Sequence, residues 1–476
     1  MRIVLAIIAA ALIIAAGAFL FAGRAAGPVV EIIQPVKVLG QAGTLDLVVR
    51  APRGALTRLD VSLEQAGQTH PLFSLPGAEG ATLAQEGPDA VRLTRALGAR
   101  SVKGLKSGEA RLVITAGRPV LFGLREATTQ ASHAMTVRLE PPRVAVLSRF
   151  HFINHGGSEM VVYRVTPTDV ESGVRVGDRT YRGFPASAAG LPGADASVRV
   201  AFFALLWDQD LNTPMTVYAR DDAGNQARAS FDTRVFPKPF RKSRIDVPDE
   251  FLSRVVPEIL AQSPEFKVDD PNDLVKSYVA INSQMRRANA ETIEKQAANT
   301  APEVLWQGPF RQLTNSSVES SFADQRTYFY KGEEIDRQVH LGFDLAVTAN
   351  VPISASNRGV VAYAAYLGIY GNCVIVDHGM GVQSLYAHLS SIDVKVGDRV
   401  ELGQTLGRSG MTGLAGGDHL HYTMLVNGHP VNPVDWWSEQ WINDRILRKL
   451  REAGAPAEVA QSGAPSPESR AAVAAR

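Results

Sequence analysis

His419-Leu420-His421-Tyr422-Thr423-Met424 is the stretch on which the reading of this chain turns. In an extended strand, residues i and i+2 share a face about 6.5–7 Å apart, so His419 and His421 stand side by side. One imidazole of such a pair can bind a metal while its neighbour handles a proton. Similar short runs precede it: Val360-Val361-Ala362-Tyr363, Val374-Ile375-Val376-Asp377 and Ser384-Leu385-Tyr386-Ala387-His388. The last third of the chain is therefore expected to be a small β-domain.

Six of the ten histidines fall between positions 340 and 429. About 75 residues before the paired imidazoles stands His340-Leu341-Gly342-Phe343-Asp344. The i, i+4 spacing of His340 and Asp344 suits a helix, but Gly342 and the lack of helical periodicity argue for a strand or loop. Any one of these histidines alone is more simply a satisfied polar residue on a strand face. An H-x-x-x-D and an H-x-H in one small domain form a constellation. One carboxylate and three imidazoles make the mixed N/O set that a zinc ion needs to hold three protein ligands and leave a fourth position for water.

A chain of 476 residues exceeds what one core sustains, so several domains are expected. With 49 basic and 48 acidic side chains the net charge is +1, and no basic block with interleaved aromatics points to nucleic acid. Forty-one Gly, 27 Pro and many Val-rich runs indicate β-structure with turns, hence a mainly β fold. The lone Cys373, in Asn372-Cys373-Val374-Ile375-Val376, allows no intrachain disulfide and reads as a small buried hydrophobe.

Ile3 to Ala22 carries no charge and lies between Arg2 and Gly23-Arg24. About 20 apolar residues suffice to cross a bilayer, whereas the apolar core of a signal peptide usually has about 7–15. Residues 1–24 are thus expected to be an uncleaved signal anchor, with Ala25-Ala26 offering a signal peptidase the alternative. Everything beyond would lie on one side of the membrane.

Residues 28–140 alternate short apolar runs with turns, as in Met135-Thr136-Val137-Arg138-Leu139, and read as a β-sandwich module. Residues 143–237 read as a second, immunoglobulin-like sandwich that ends in a hairpin around Asp221-Asp222-Ala223-Gly224-Asn225. Between 245 and 300 the period changes: Phe251, Val255, Ile259, then Leu274, Tyr278, Ile281 and Met285 recur at three- and four-residue steps, a helical linker. Residues 438–476 are expected to form a short helix and a disordered tail.

The order His340-Leu-Gly-Phe-Asp344, Tyr370-Gly-Asn-Cys-Val-Ile-Val-Asp-His-Gly-Met-Gly381, Tyr386-Ala-His388-Leu-Ser390 and Gly410-Met-Thr-Gly-Leu-Ala-Gly-Gly-Asp-His419-Leu-His421 resembles the lysostaphin-type (LytM) zinc endopeptidases of bacterial cell walls. The resemblance covers about residues 303–437 and implies a narrow antiparallel β-sheet lining a groove. It implies that His340, Asp344 and His421 bind one Zn2+ per chain, and that His388 and His419 are the catalytic imidazoles. One departure concerns the groove's approach: the family often has Phe-Gly-x-Arg, and this chain has Phe322-Ala323-Asp324-Gln325-Arg326.

His378, with Asp377, is expected to serve turn chemistry, His429 to be exposed on a hairpin, and His151 and His155 to be loop residues. Tyr386 and Tyr422 are expected in the core, and Trp436-Trp437 at the base of the domain. The resemblance implies a zinc endopeptidase that cuts peptide crosslinks in peptidoglycan, and with the apolar amino terminus the chain is expected to be membrane-anchored, single-pass in the inner membrane with its bulk in the periplasm. The sandwiches are expected to be spacers or docking modules for envelope protein partners. The alternative within the family is a non-catalytic wall-binding or amidase-activating protein, in which zinc ligands are lost; all five positions are present here. Val394-Lys395-Val396-Gly397-Asp398-Arg399-Val400 and Leu402-Gly403-Gln404-Thr405-Leu406-Gly407 are similar to a strand pair of biotinyl and lipoyl carriers, but no lysine sits at a hairpin tip between them.

Overall fold

The structure, a computed structural model, describes residues 2–454 apart from 23, 52–55, 78–79 and 192. Almost all of the tail expected to be disordered lies outside the described residues. The chain is mainly β and divides into two compact units, Met1–Pro142 with Arg220–Ala227, and Arg143–Ala219 with Arg228–Arg476.

The first unit begins with a 21-residue helix, Arg2–Ala22, whose most apolar 18-residue stretch has a mean hydropathy of 3.0. At about 1.5 Å per residue it reaches roughly 30 Å, the thickness of a bilayer's hydrocarbon core. A signal or a membrane anchor has this form. The rest of the unit is two sheets. One orders the strands Val29–Gln34, Gly43–Arg50, Ala90–Leu97 and Ala81–Gly87; the other contains Arg125–Val137, Gly108–Val120, Arg58–Gln65 and Gln68–Ser74. Period-2 alternation sends Leu45, Leu47 and Val49 of the first sheet and Leu59, Val61 and Leu63 of the second into one shared core.

In the second unit, Ser158–Thr166 is the pivotal strand. It pairs with Arg143–Val146 and Val198–Ala204 in one sheet, beside a second sheet built on Glu171–Val176 and Arg179–Arg182. Its residues Ser158 to Tyr163 are all buried, on both faces. The reason lies at the far end of the chain. Trp436 Nε1 donates to Ser158 Oγ at 2.9 Å, Asn154 Nδ2 donates to Asp435 Oδ1 at 3.0 Å, and Lys449 Nζ meets Glu159 Oε1 at 2.7 Å. Trp436 also packs against Phe202, Trp306 and Phe310, with ring centroids 5.5–5.9 Å apart. This sandwich therefore shares one continuous core with the C-terminal sheet. The sandwich is therefore not packed as a separate module, since Ser158 to Tyr163 are covered on both faces.

The C-terminal sheet is antiparallel and orders Ser317–Ser320, Phe343–Ala346, Leu420–Val426, Val382–Leu389, Asn372–Asp377, Gly359–Tyr366 and Arg399–Val400. The hairpin of Asp324–Tyr330 and Glu333–His340 rises beside it, and Lys242–Asp246 adds a parallel strand to that hairpin. The helical stretch comprises Asp249–Gln262, Leu274–Ala280, one π-helical turn at Ile281–Met285, and Arg286–Ala297. Its apolar stripe does what the periodicity predicts: Val255, Ile259, Tyr278, Ile281 and Met285 are buried, together with Tyr328 of the hairpin and Ile369. Ile293 meets Cys373, Ile375, Leu385, Ala387 and Leu425 of the sheet. The helices thus lie on the sheet instead of merely leading to it. Cys373 is fully buried and burial pushes its thiol up, in keeping with an inert core residue.

Candidate active site

Register alone assembles most of the site. Asp344 is the cross-strand neighbour of His421, and His421 the neighbour of Ala387, so these side chains share a face. His419 joins them by the i+2 rule. His340 ends its strand at the hairpin's foot, and Gly342 makes the turn to Asp344. A Cβ on Gly342 would lie 2.5 Å from His421 Nε2 and 2.6 Å from Thr423 Oγ1, so only glycine lets this turn pass so close.

His388 arrives differently. Regular alternation would place it with Tyr386, on the face opposite His421 and Ala387. The pairing of Val382–Leu389 with Asn372–Asp377 is interrupted at this point, and His388 takes a left-handed φ of 63°. This bulge turns its ring to the metal-binding face, 4.9 Å from His419 and 5.7 Å from His421 between ring centroids. A left-handed conformation costs a non-glycine residue of the order of 1 kcal/mol or more, and the surrounding sheet holds it.

Three donor atoms converge. His340 Nε2 is 2.8 Å from Asp344 Oδ1 and 2.9 Å from His421 Nδ1, and His421 Nδ1 is 3.0 Å from Asp344 Oδ1. His419 Nε2 lies 3.4 Å from the same oxygen. The opposite ring nitrogens are all engaged with acceptors. His340 Nδ1 faces the Ser321 carbonyl at 3.2 Å, His388 Nδ1 the Thr412 carbonyl at 2.8 Å, and His419 Nδ1 the Gly417 carbonyl at 2.8 Å. Thr423 Oγ1 donates to the Leu341 carbonyl and so accepts from His421 Nε2 at 3.0 Å. Each partner fixes the tautomer that turns a lone pair inward. Asp344 Oδ2 is held by Arg326 Nη2 at 3.0 Å, and Arg326 also reaches Ser320 Oγ and Asp324.

Burial alone would raise the Asp344 carboxyl, but the His340 charge and hydrogen bonds from His340, His419 and His421 hold it well below the usual carboxylate range. Burial lowers His421 to about 4 and, with the neighbouring imidazoles, takes His388 well below its usual value. Burial opposes charge on His419 too, yet its contact with Asp344 prevails and raises it. Two imidazoles are thereby kept neutral beside one firm carboxylate.

A cavity of about 780 Å3 opens over these five residues. Its far wall is the helical stretch, through Phe251, Arg254, Tyr278 and Arg286. Arg254 donates to the Ala415 carbonyl at 2.5 Å and Glu258 accepts from Gly413 N at 3.2 Å, so the Asp249–Gln262 helix pins the loop whose Thr412 carbonyl orients His388. Tyr370 lies edge-on to His421 at 5.5 Å, and burial pushes its phenol up to about 12, which keeps it a neutral donor.

All five residues singled out from the sequence come together. Arg326, Thr423, Tyr370 and the helix contacts were not foreseen as parts of the site, although Thr423 and Tyr370 stand in the motifs quoted above and Arg326 ends the Phe322–Arg326 departure. Ala323 there adopts a φ of 61°, the region where glycine costs least. His378 is a core residue, not a turn residue: it is fully buried, with Nδ1 on the Arg358 carbonyl and Nε2 on Ser384 Oγ at 2.7 Å. Asp377 does serve the turn, and it also anchors Thr300 and Ala301. His151 is buried in a strand against Ser148 and the Asp232 carbonyl, and His429 is half-buried 3.3 Å from Glu294, so neither the loop nor the exposed reading holds. His155 bonds the Gln209 carbonyl. Tyr386 and Tyr422 are core residues that share Ser356 as hydrogen-bond partner.

Residues 338–433 match the model of Peptidase family M23. The chain is 36% identical over 140 residues to the DD-carboxypeptidase/endopeptidase Mpg of Neisseria meningitidis serogroup B, covering 26% of this chain and 32% of that protein. It is 43% identical over 95 residues to the peptidoglycan DD-endopeptidase ShyA of Vibrio cholerae serotype O1, covering 20% of this chain and 22% of that protein. These alignments span a third or less of the relatives' lengths. Among solved structures, the catalytic domain of the antimicrobial peptidase lysostaphin from Staphylococcus simulans is 26% identical with a TM-score of 0.23, covering 28% of this chain and 98% of that one. The chain thus carries a peptidase family M23 domain at residues 338–433, the stretch that holds all five converging side chains.

Proposed function

We propose that this chain is a membrane-anchored, zinc-dependent endopeptidase that hydrolyses peptide crosslinks in bacterial peptidoglycan, with the Arg2–Ala22 helix in the inner membrane and the remainder in the periplasm. The observation that carries the reading is the convergence of three lone-pair donors, His340 Nε2, Asp344 Oδ1 and His421 Nδ1, all buried. These three atoms lie within 3.0 Å of one another, and the other nitrogen of each ring is engaged elsewhere, so one cation can be shared among them. The donor set of two imidazoles and one carboxylate fits zinc.

His340, Asp344 and His421 would hold the ion, which when bound supplies Lewis acidity towards a carbonyl and lowers the pKa of water towards about 7. His388 and His419 have their Nδ1 protons engaged by backbone carbonyls, so each offers Nε2 to the cavity. One can accept a proton from the attacking water, and one, protonated, can deliver it to the departing amine. The helix-bound Ser409–Gly417 loop and Tyr370 narrow the approach and exclude bulk water. The printed names of Mpg and ShyA support peptidoglycan as the substrate class.

Full-length protein incubated with crosslinked muropeptides should yield the separated peptides by mass spectrometry, with one zinc per chain. The His421→Ala variant should lose both zinc and hydrolysis. Binding to sacculi without hydrolysis by the zinc-loaded parent would instead favour a non-catalytic wall-binding protein.

A further inference from the structure

A second cavity, of about 630 Å3, meets the first at Arg286 and Arg326, which line both. Lys242 and Arg337 continue its wall, with Trp207 and Gln338 beside them, and no Asp or Glu lines it. The charges are not equally committed. Arg326 is spent on Asp324 and Asp344, and Arg337 bonds the exposed Glu334. Arg286 uses Nε and one Nη on the two oxygens of Asn282. The carboxylate of Asp336 is engaged by Asn282 Nδ2 at 2.8 Å and Gln338 Nε2 at 3.0 Å. Among the described residues, neither Arg286 nor Lys242 has an acidic partner.

A concave wall of one sign concentrates ions of the other. A guanidinium whose free N–H groups face such a cavity matches a planar carboxylate. We propose that this second cavity is a subsite for a free carboxylate of the substrate peptide, anchored by Arg286 with Lys242 and Arg337 behind it. Trp207, from the second sandwich, supplies an apolar wall for the aliphatic part of the same residue. The subsite would select peptide stems with free carboxylates over amidated ones. It rests on the peptidase reading above, and it gives the fused sandwich a part in substrate choice.

The test compares two crosslinked muropeptides that differ only in carboxylate against carboxamide. Binding to the full chain freed of zinc by chelator is measured by calorimetry, so that no turnover intervenes. The acid form should bind about tenfold or more tightly, since charge-assisted bonds of this kind are worth at least one such factor. The preference should shrink as salt is raised, and fall to about one in Arg286→Met and in the Lys242→Met/Arg337→Met pair. The pair changes exposed side chains, so it keeps the test open if Arg286→Met misfolds. Equal affinity of the parent chain for both peptides, or a preference that survives in both variants, would overturn the subsite. If the zinc-loaded parent cleaves neither peptide, the endopeptidase reading falls while the binding result still decides this proposal.

Discussion

Replacing Lys449 by methionine isolates the junction between the second sandwich and the Arg448–Gly454 helix that follows the peptidase sheet. Lys449 and Glu159 have side-chain exposures of 1% and 0% and meet at 2.7 Å, with Lys449 Nζ also on the Met160 carbonyl at 2.8 Å. Burial raises Glu159 and lowers Lys449 despite their attraction, so desolvation already outweighs pairing at this site. Removing the ammonium leaves a buried carboxylate whose remaining partners are the Phe152 and Met160 N–H groups. Breaking a buried pair in this way costs about 3–5 kcal/mol, a large part of the roughly 5–15 kcal/mol by which a domain is stable. Adding Glu159→Gln removes the orphaned charge at the expense of one mismatched N–H contact, so the double variant should recover about 2 kcal/mol. The single variant should also become less deficient on acidification. Its Glu159, raised above the unfolded value, can take a proton in place of the lost cation, and that relief vanishes as pH rises through its folded value. Urea unfolding followed by tryptophan fluorescence reads the effect, because Trp436 sits at this junction. A Lys449→Met loss below about 1 kcal/mol, or strict additivity with Glu159→Gln, would show that this helix and the sandwich are not coupled through the pair.

Gly371 has a φ of 61°, and a Cβ there would lie 2.3 Å from Thr412 Oγ1 and 2.5 Å from the Thr412 carbonyl oxygen. Gly371→Ala should therefore shift the acceptor of His388 and lower kcat by about tenfold or more while zinc content stays at one per chain; unchanged kcat would contradict the assigned role of Thr412. His378, held by burial at about 4 against roughly 6.5 when unfolded, binds its proton more readily in the unfolded chain, so stability is full above about pH 6.5 and is lost as pH falls towards 4. By pH 5 this one group should cost about 2 kcal/mol, visible as a drop in urea midpoint that is smaller in His378→Gln; an identical pH profile for the two proteins would refute it.

The parts of the site that obey a fixed period were legible in the sequence. His419 and His421 fall on one face because strands repeat every two residues, and the Val255–Ile259 and Tyr278–Met285 stripes pack as helices because helices repeat every 3.6. What broke the period was not. His388 reaches the site through a bulge and a left-handed φ that no local residue preference announces. Arg326 reaches Asp344 across a hairpin, and Arg254 and Glu258 reach the His388 loop across more than 150 positions, contacts that depend on tertiary packing alone. The fused sandwich was missed for a related reason: Met160-Val161-Val162-Tyr163 reads equally well as a strand buried on one side or on both, and only Trp436 and Lys449 decide between them. His378 and His151 read as turn and loop residues because a buried histidine and an exposed one look alike until their acceptors are known.

X-ray absorption at the zinc edge, on full-length protein loaded with one equivalent, tests the central claim most directly. Two imidazole nitrogens and carboxylate and solvent oxygens at about 2.0–2.2 Å in a four-coordinate site are predicted, with one imidazole shell lost in His340→Ala. A spectrum with a sulfur shell, six-coordinate zinc, or a first shell identical in the parent and the His340→Ala, Asp344→Ala and His421→Ala variants would contradict it.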